Sequence, residues 1–217
     1  MQKQSFLFLL ILVGMALLAV YQAFVPAPGG APQVAIRFLG LVGFFLLCVS
    51  LIIGPLAVLW PQKFAQLIEP RRAVGVSAFI FSALHFSLVL SLYFKFDFGS
   101  ILSLLPLAIA LPPYIIMLAM ALTSNDWATN KLGMAKWKML HRLVYVTFAL
   151  TFAHFVLSAN SLFPKEGSQA PINLAEVALL LLGGVVIVLQ IAGFLTFRKR
   201  QSASKAAATN TNAPNQG

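Results

Sequence analysis

Met-Leu-His-Arg-Leu-Val-Tyr-Val-Thr-Phe-Ala-Leu-Thr-Phe-Ala-His-Phe-Val-Leu-Ser-Ala-Asn, residues 139–160, is the stretch that decides the fold. Apart from Arg142 near its start it carries no formal charge, yet it holds two of the chain's three histidines. As a helix it rises about 33 Å at 1.5 Å per residue, enough to cross a hydrocarbon layer about 30 Å thick. Polar and apolar residues do not alternate, and the run is about twice the length of a barrel strand, so a transmembrane β-barrel is excluded.

Five further apolar runs, at residues 5–24, 38–60, 72–94, 101–122 and 174–197, repeat this length. With 60% apolar and only 9% charged residues in 217, the chain has too little polar surface to clothe a soluble globule. The expected fold is an all-α membrane protein, a six-transmembrane-helix bundle over residues 1–200. Residues 201–217, rich in Ala, Asn, Thr and Ser, are expected to form a disordered cytoplasmic tail. Lys3 followed by an apolar stretch with Ala19 and Ala23 has features of a secretory leader, but the run is too long for one and reads as a span.

The net charge of +10 would suggest nucleic acid in a soluble protein; here the charges follow the loops. With the N-terminus in the cytoplasm, Lys3, Lys63, Arg71, Arg72, Lys131, Lys136, Lys138, Arg142, Arg198, Lys199, Arg200 and Lys205 all fall on that side. Only Arg37, Lys95 and Lys165 remain outside. This positive-inside asymmetry puts both termini in the cytoplasm and makes membrane lipid, not nucleic acid, the partner of the basic charge. Cys48, the single cysteine, lies within the second run, so one chain can build neither a disulfide nor a thiolate cluster. The five acidic residues all lie in loops or at helix ends, which gives no support to a buried carboxylate relay.

Ionisable side chains inside a span are costly and point to function. His85 stands in the middle of the third run, and His141 and His154 at the start and middle of the fifth. The third and fifth runs cross in the same direction. His85 follows the Arg71–Arg72 pair by thirteen or fourteen residues and His154 follows Arg142 by twelve, so both imidazoles sit roughly 18–21 Å along their helices. Two facing imidazoles at one depth suit the axial positions of a haem iron, placing haem between helices three and five. Ser82 and Thr151, each three residues before its histidine, leave room for a flat ring. His141 lies about 20 Å from His154 along one helix but about 140° around it, and no histidine stands opposite it near Arg71 and Arg72. It either ligates a second haem or sits at the headgroup level.

These residues resemble the ferric-reductase-like transmembrane domain family, and most of all its small bacterial branch, the haem-binding membrane subunit of the periplasmic methionine sulfoxide reductase system. The resemblance is carried by Arg71-Arg72-Ala73-Val74-Gly75, Leu84-His85-Phe86, Ala121-Leu122-Thr123-Ser124, Lys131-Leu132-Gly133, Trp137-Lys138-Met139-Leu140-His141-Arg142-Leu143-Val144-Tyr145 and His154-Phe155. It implies that all three histidines are haem ligands, with one or two b haems. It also implies an electron-transfer subunit, rather than a complete enzyme, in a bacterial inner membrane. The loop Pro26-Ala27-Pro28-Gly29-Gly30-Ala31-Pro32 lacks the Asn-Pro-Val-Glu signature of the sulfoxide-reductase partner subunit, which leaves the extracytoplasmic acceptor open between such a reductase and ferric iron. About twenty residues follow Phe197, too few for the flavin- and nicotinamide-binding domain of larger relatives. The donor is therefore expected to be separate, a quinol or a flavin reductase. Arg71, Arg72, Lys136, Lys138 and Arg142 offer charge-assisted bonds to haem propionates or to the phosphate of FMN. Trp127 and Trp137 read first as interfacial belt residues and second as a flavin or quinone platform. The competing reading is a six-helix transporter or assembly subunit without haem, in which the histidines bind a solute or brace helices.

Overall fold

The computed structural model describes residues 2–25, 30–159 and 173–211. Residues 26–29 of the first loop, Asn160, Lys165 and residues 212–217 lie outside the described residues. The chain is helical, with α1 (Gln2–Phe24), α2 (Gly30–Leu59), the short α3 (Pro61–Phe64), α4 (Ile68–Leu92), α5 (Phe98–Ser103), α6 (Leu105–Leu122), α7 (Asp126–Leu132), α8 (Met134–Arg142), α9 (Val144–Ser158) and α10 (Leu174–Thr211). Among the described residues six helical segments are long and apolar enough to cross a membrane: Gln4–Phe24, Gly30–Leu59, Pro61–Leu92, Leu105–Leu122, Met134–Ser158 and Leu174–Ser204. They correspond one to one with the six runs read from the sequence, except that the fourth begins at Leu105, because extended Leu104 separates the short α5 from α6. The ends move outward where helix costs nothing: Pro70 sits in the first turn of α4, where its missing N–H is an orphan anyway. α10 continues past Phe197 into the segment read as a tail, where Ala206, Ala207 and Ala208 favour helix.

α2 is the axle of the bundle. It is mostly apolar and buried along most of its length, whereas the other five spans present most of their apolar surface outward, as a lipid-facing helix must. Lipid tails are as apolar as leucine, so helices associate in a membrane by close packing and hydrogen bonds rather than by burial. Two glycines supply the close packing of α2 on α4. A Cβ on Gly43 would stand 2.8 Å from Ser82 Oγ, and one on Gly40 would stand 3.0 Å from His85 Nδ1. On the other side Pro55 lacks the N–H that would pair with the Leu51 carbonyl, and Gln190 Nε2 of α10 donates to that oxygen at 2.9 Å. Interhelical bonds of this kind contribute on average about 0.6 kcal/mol.

α9 docks on α2 through aromatic rings. Phe44 stacks with Phe148, Phe152 and Phe155 at centroid separations of 6.2, 6.1 and 4.8 Å. The fifth span, Met134–Ser158, passes from the polar-faced α8 to the apolar α9 through a single turn residue, Leu143, whose φ of -61° and ψ of -10° stay in the helical region. α8 follows α7 through Gly133, whose φ of +76° strains any side-chain-bearing residue. α7 is capped by the Asn125 carboxamide, which accepts from Ala128 N at 2.7 Å, and is tied to α4 by Arg72 and Asp126, 3.1 Å apart.

Candidate functional site

The walls of α2, α4, α6 and α9 enclose two chambers stacked along the bundle. One, of about 210 Å³, contains His85 and His154 together with Ser82, Thr151, Phe44 and Gly40. The two histidines matched by depth in the sequence thus meet in one space, and the two small hydroxylated residues are beside them. Ser82 turns its hydroxyl to the Ala78 carbonyl at 2.8 Å and so presents little bulk to the chamber.

Both imidazoles are held in the same way by a helix that does not carry them. His85 Nδ1 lies 2.9 Å from the Ile36 carbonyl of α2, and His154 Nδ1 lies 2.8 Å from the Pro106 carbonyl of α6. A carbonyl oxygen only accepts, so each Nδ1 carries the proton and each Nε2 keeps its lone pair. A fixed Nδ1–H with a lone pair at Nε2 is the state in which histidine ligates a metal. Gly40 permits this at His85, because the ring lies where a Cβ would be. Among the described residues no three His, Cys, Asp or Glu side chains converge. A bare ion has no cage here; two imidazoles and an apolar, ring-lined slot suit iron that brings its own equatorial ligand.

Arg37 and Glu176 also line this chamber. The sequence reading set Arg37 aside as one of three basic residues on the outer side. The signal that it belongs to the site was Gly40, one turn further on the same face of α2.

The second chamber is larger, about 410 Å³, and basic. Arg71, Arg72, Lys138, His141, Arg142 and Trp137 line it, with Ser50 and Tyr145. His141 is therefore not with the other two histidines. Its ring stacks on Trp137 at 4.1 Å, and its Nε2 faces Thr123 Oγ1 at a long 3.4 Å. The Thr123 hydroxyl donates to Ala119 O at 2.7 Å, so it accepts from Nε2–H, and the lone pair of His141 falls on Nδ1. The tautomer is the reverse of that in His85 and His154. Trp137 Nε1 donates to Thr123 O at 3.0 Å, which locks this corner. Lys136 is outside the chamber, and Trp127 carries the Lys131 ammonium 4.7 Å above its ring on the exposed side of α7.

Arg72 is the most informative charge. Its Nη1 meets Asp126, but its Nε and Nη2 are buried without a partner among the described residues. Buried guanidinium N–H groups are costly to leave unpaired, and a chamber lined by them is built for an anionic group.

Comparison with known proteins adds to this geometry. The family described as "Ferric reductase like transmembrane component" matches residues 39–152, a stretch that includes His85 and His141 and stops two residues short of His154. A protein-methionine-sulfoxide reductase heme-binding subunit MsrQ of Agrobacterium fabrum is 35% identical over 134 residues, 58% of this chain and 59% of that protein. The proteins of the same name from Brucella ovis and Brucella anthropi are each 34% identical, over 138 and 136 residues, covering 60% and 59% of this chain and 59% and 58% of theirs. The chain thus matches about three-fifths of the length of these relatives. No solved structure matches.

Proposed function

Because the chain belongs to the ferric reductase like transmembrane component family, we propose that it is a haem-b-binding electron-transfer subunit that carries electrons across a bacterial inner membrane. The observation that carries this reading is the pair of imidazoles in one chamber, each with Nδ1–H on a backbone carbonyl and Nε2 open. His85 and His154 are the residues that would hold the haem iron. When bound, haem supplies a one-electron iron couple. Ile36 and Pro106 fix the two rings, Gly40 keeps the His85 side open, and the Arg37 guanidinium is placed to take a propionate.

The basic chamber is the donor side. Arg71, Arg72 and Arg142 hold an anionic or polar part of the donor or of a second cofactor, with Trp137 as its ring platform. A quinol or a flavin reductase supplies the electrons, and FMN and a second haem at His141 are the cofactors its chemistry admits. The relatives' name makes an extracytoplasmic methionine sulfoxide reductase the first acceptor to test, and ferric iron the second. The positive-inside pattern supports cytoplasmic termini, with the arginine chamber at the cytoplasmic face; residues 1–200 form the redox bundle and 201–217 its tail.

The test is a reduced-minus-oxidised spectrum of the purified protein with a pyridine haemochrome count per chain. The wild type should show sharp α and Soret bands, and His85→Ala and His154→Ala should each lose them. Protein free of haem under haem-replete expression would return the transporter or assembly-subunit reading.

A further inference from the structure

Met117 of α6 is the one side chain among the described residues that lines both chambers. On its helix Pro113, one turn before it, faces the histidine chamber, and Met120 and Ser124 after it face the arginine chamber. It is only 5% exposed. We propose that Met117 is the partition between the chambers, the residue that sets how closely an occupant of the arginine chamber approaches the group held by His85 and His154. The inference rests on the reading that both chambers hold redox partners.

The rest of the dividing level is stiff. Phe44 and Phe148 stack with ring planes 11° apart, and each is buried. Methionine is the adaptable member, unbranched and with three rotatable bonds, so it yields where a packed ring does not. Met117 is reachable from both cavities, because its side chain lines each of them.

Two measurements test the partition. In a Cys48→Ala background, Met117→Cys and the control Leu51→Cys are purified from cells starved of haem and exposed to a methanethiosulfonate reagent. The thiolate attacks the reagent sulfur, a mixed disulfide forms and methanesulfinate leaves. The thiol introduced at position 117 should label many times faster than that at the core position 51, and added hemin should protect it. Equal labelling overturns the partition. Labelling at position 117 in a chain that binds no hemin supports the partition and sinks the redox reading instead.

The second measurement uses Met117→Leu and Met117→Ala loaded with haem. FMN hydroquinone, losing two electrons and two protons to become FMN, turns two ferric haems on two chains ferrous. Dithionite serves as the small reductant for comparison. At unchanged haem content and midpoint potential, Met117→Ala should change the FMN rate several-fold relative to the dithionite rate, and Met117→Leu should restore it. A constant ratio across the three proteins overturns the proposal.

Discussion

The two chambers share walls but not chemistry. In the histidine chamber each imidazole spends its Nδ1–H on a backbone carbonyl, which leaves the lone pair of each ring on Nε2. In the arginine chamber the reverse holds, with Arg72 keeping two buried guanidinium nitrogens, Nε and Nη2, that the described protein leaves unpartnered. On the proposed reading the first would give electron pairs to a metal and the second would receive them from an anion, and the two demands fall on different residues.

The largest test of this contrast compares histidines by one assay. His85→Ala should remove the histidine-chamber haem from the haemochrome count, while His141→Ala should leave that haem in place. A fall from two haems to one would assign His141 an iron, and no change would assign it to the Trp137 corner. Next comes the backbone behind the clamp. Gly40→Val puts a Cβ 3.0 Å from His85 Nδ1 and displaces the ring from Ile36, so haem affinity should fall by about 10–100-fold, the usual cost of a lost outer-shell partner. Hemin titration of the haem-free protein measures it.

A smaller effect is expected on the other side. Arg72→Gln removes the unpartnered guanidinium and should slow reduction by FMN hydroquinone several-fold with the haem spectrum unchanged; a changed spectrum would mean that the chambers are not separable. The smallest effect lies outside both. Asp97 caps α5, and its carboxyl is held below the ordinary carboxylate range chiefly by the Ser100 hydroxyl, with the Ser100 and Gly99 amides adding to it. A depressed carboxylate contributes stability that is present above its unfolded pKa and lost as pH falls through the folded one. Asp97→Asn should therefore lower the melting temperature slightly at neutral pH, and the gap to wild type should close in acid.

Much of the fold is legible because lipid makes length and charge decisive: six runs are long enough to span, and among the described residues six helical segments are long and apolar enough to do so. The pairing of His85 with His154 was legible for the same reason, since depth along a helix follows from counting residues between charged ends. What could not be read is rotational. Residue counts along the fifth span give depth but not face, so the chamber that His141 enters, apart from that of His154, emerges only from the tertiary arrangement. Arg37 was missed because its charge was counted for topology and its face was not. The carbonyl anchors at Ile36 and Pro106 were out of reach altogether, since any residue supplies a carbonyl and only the tertiary arrangement selects one.

Those two carbonyls have a consequence for assembly. Each belongs to a span other than the one bearing its imidazole, so the rings acquire their working tautomer only when four separate crossings have found one another. If the two rings hold iron as proposed, its capture reports completed folding: a chain inserted with a misregistered second or fourth crossing would still possess both histidines and yet fail to retain it.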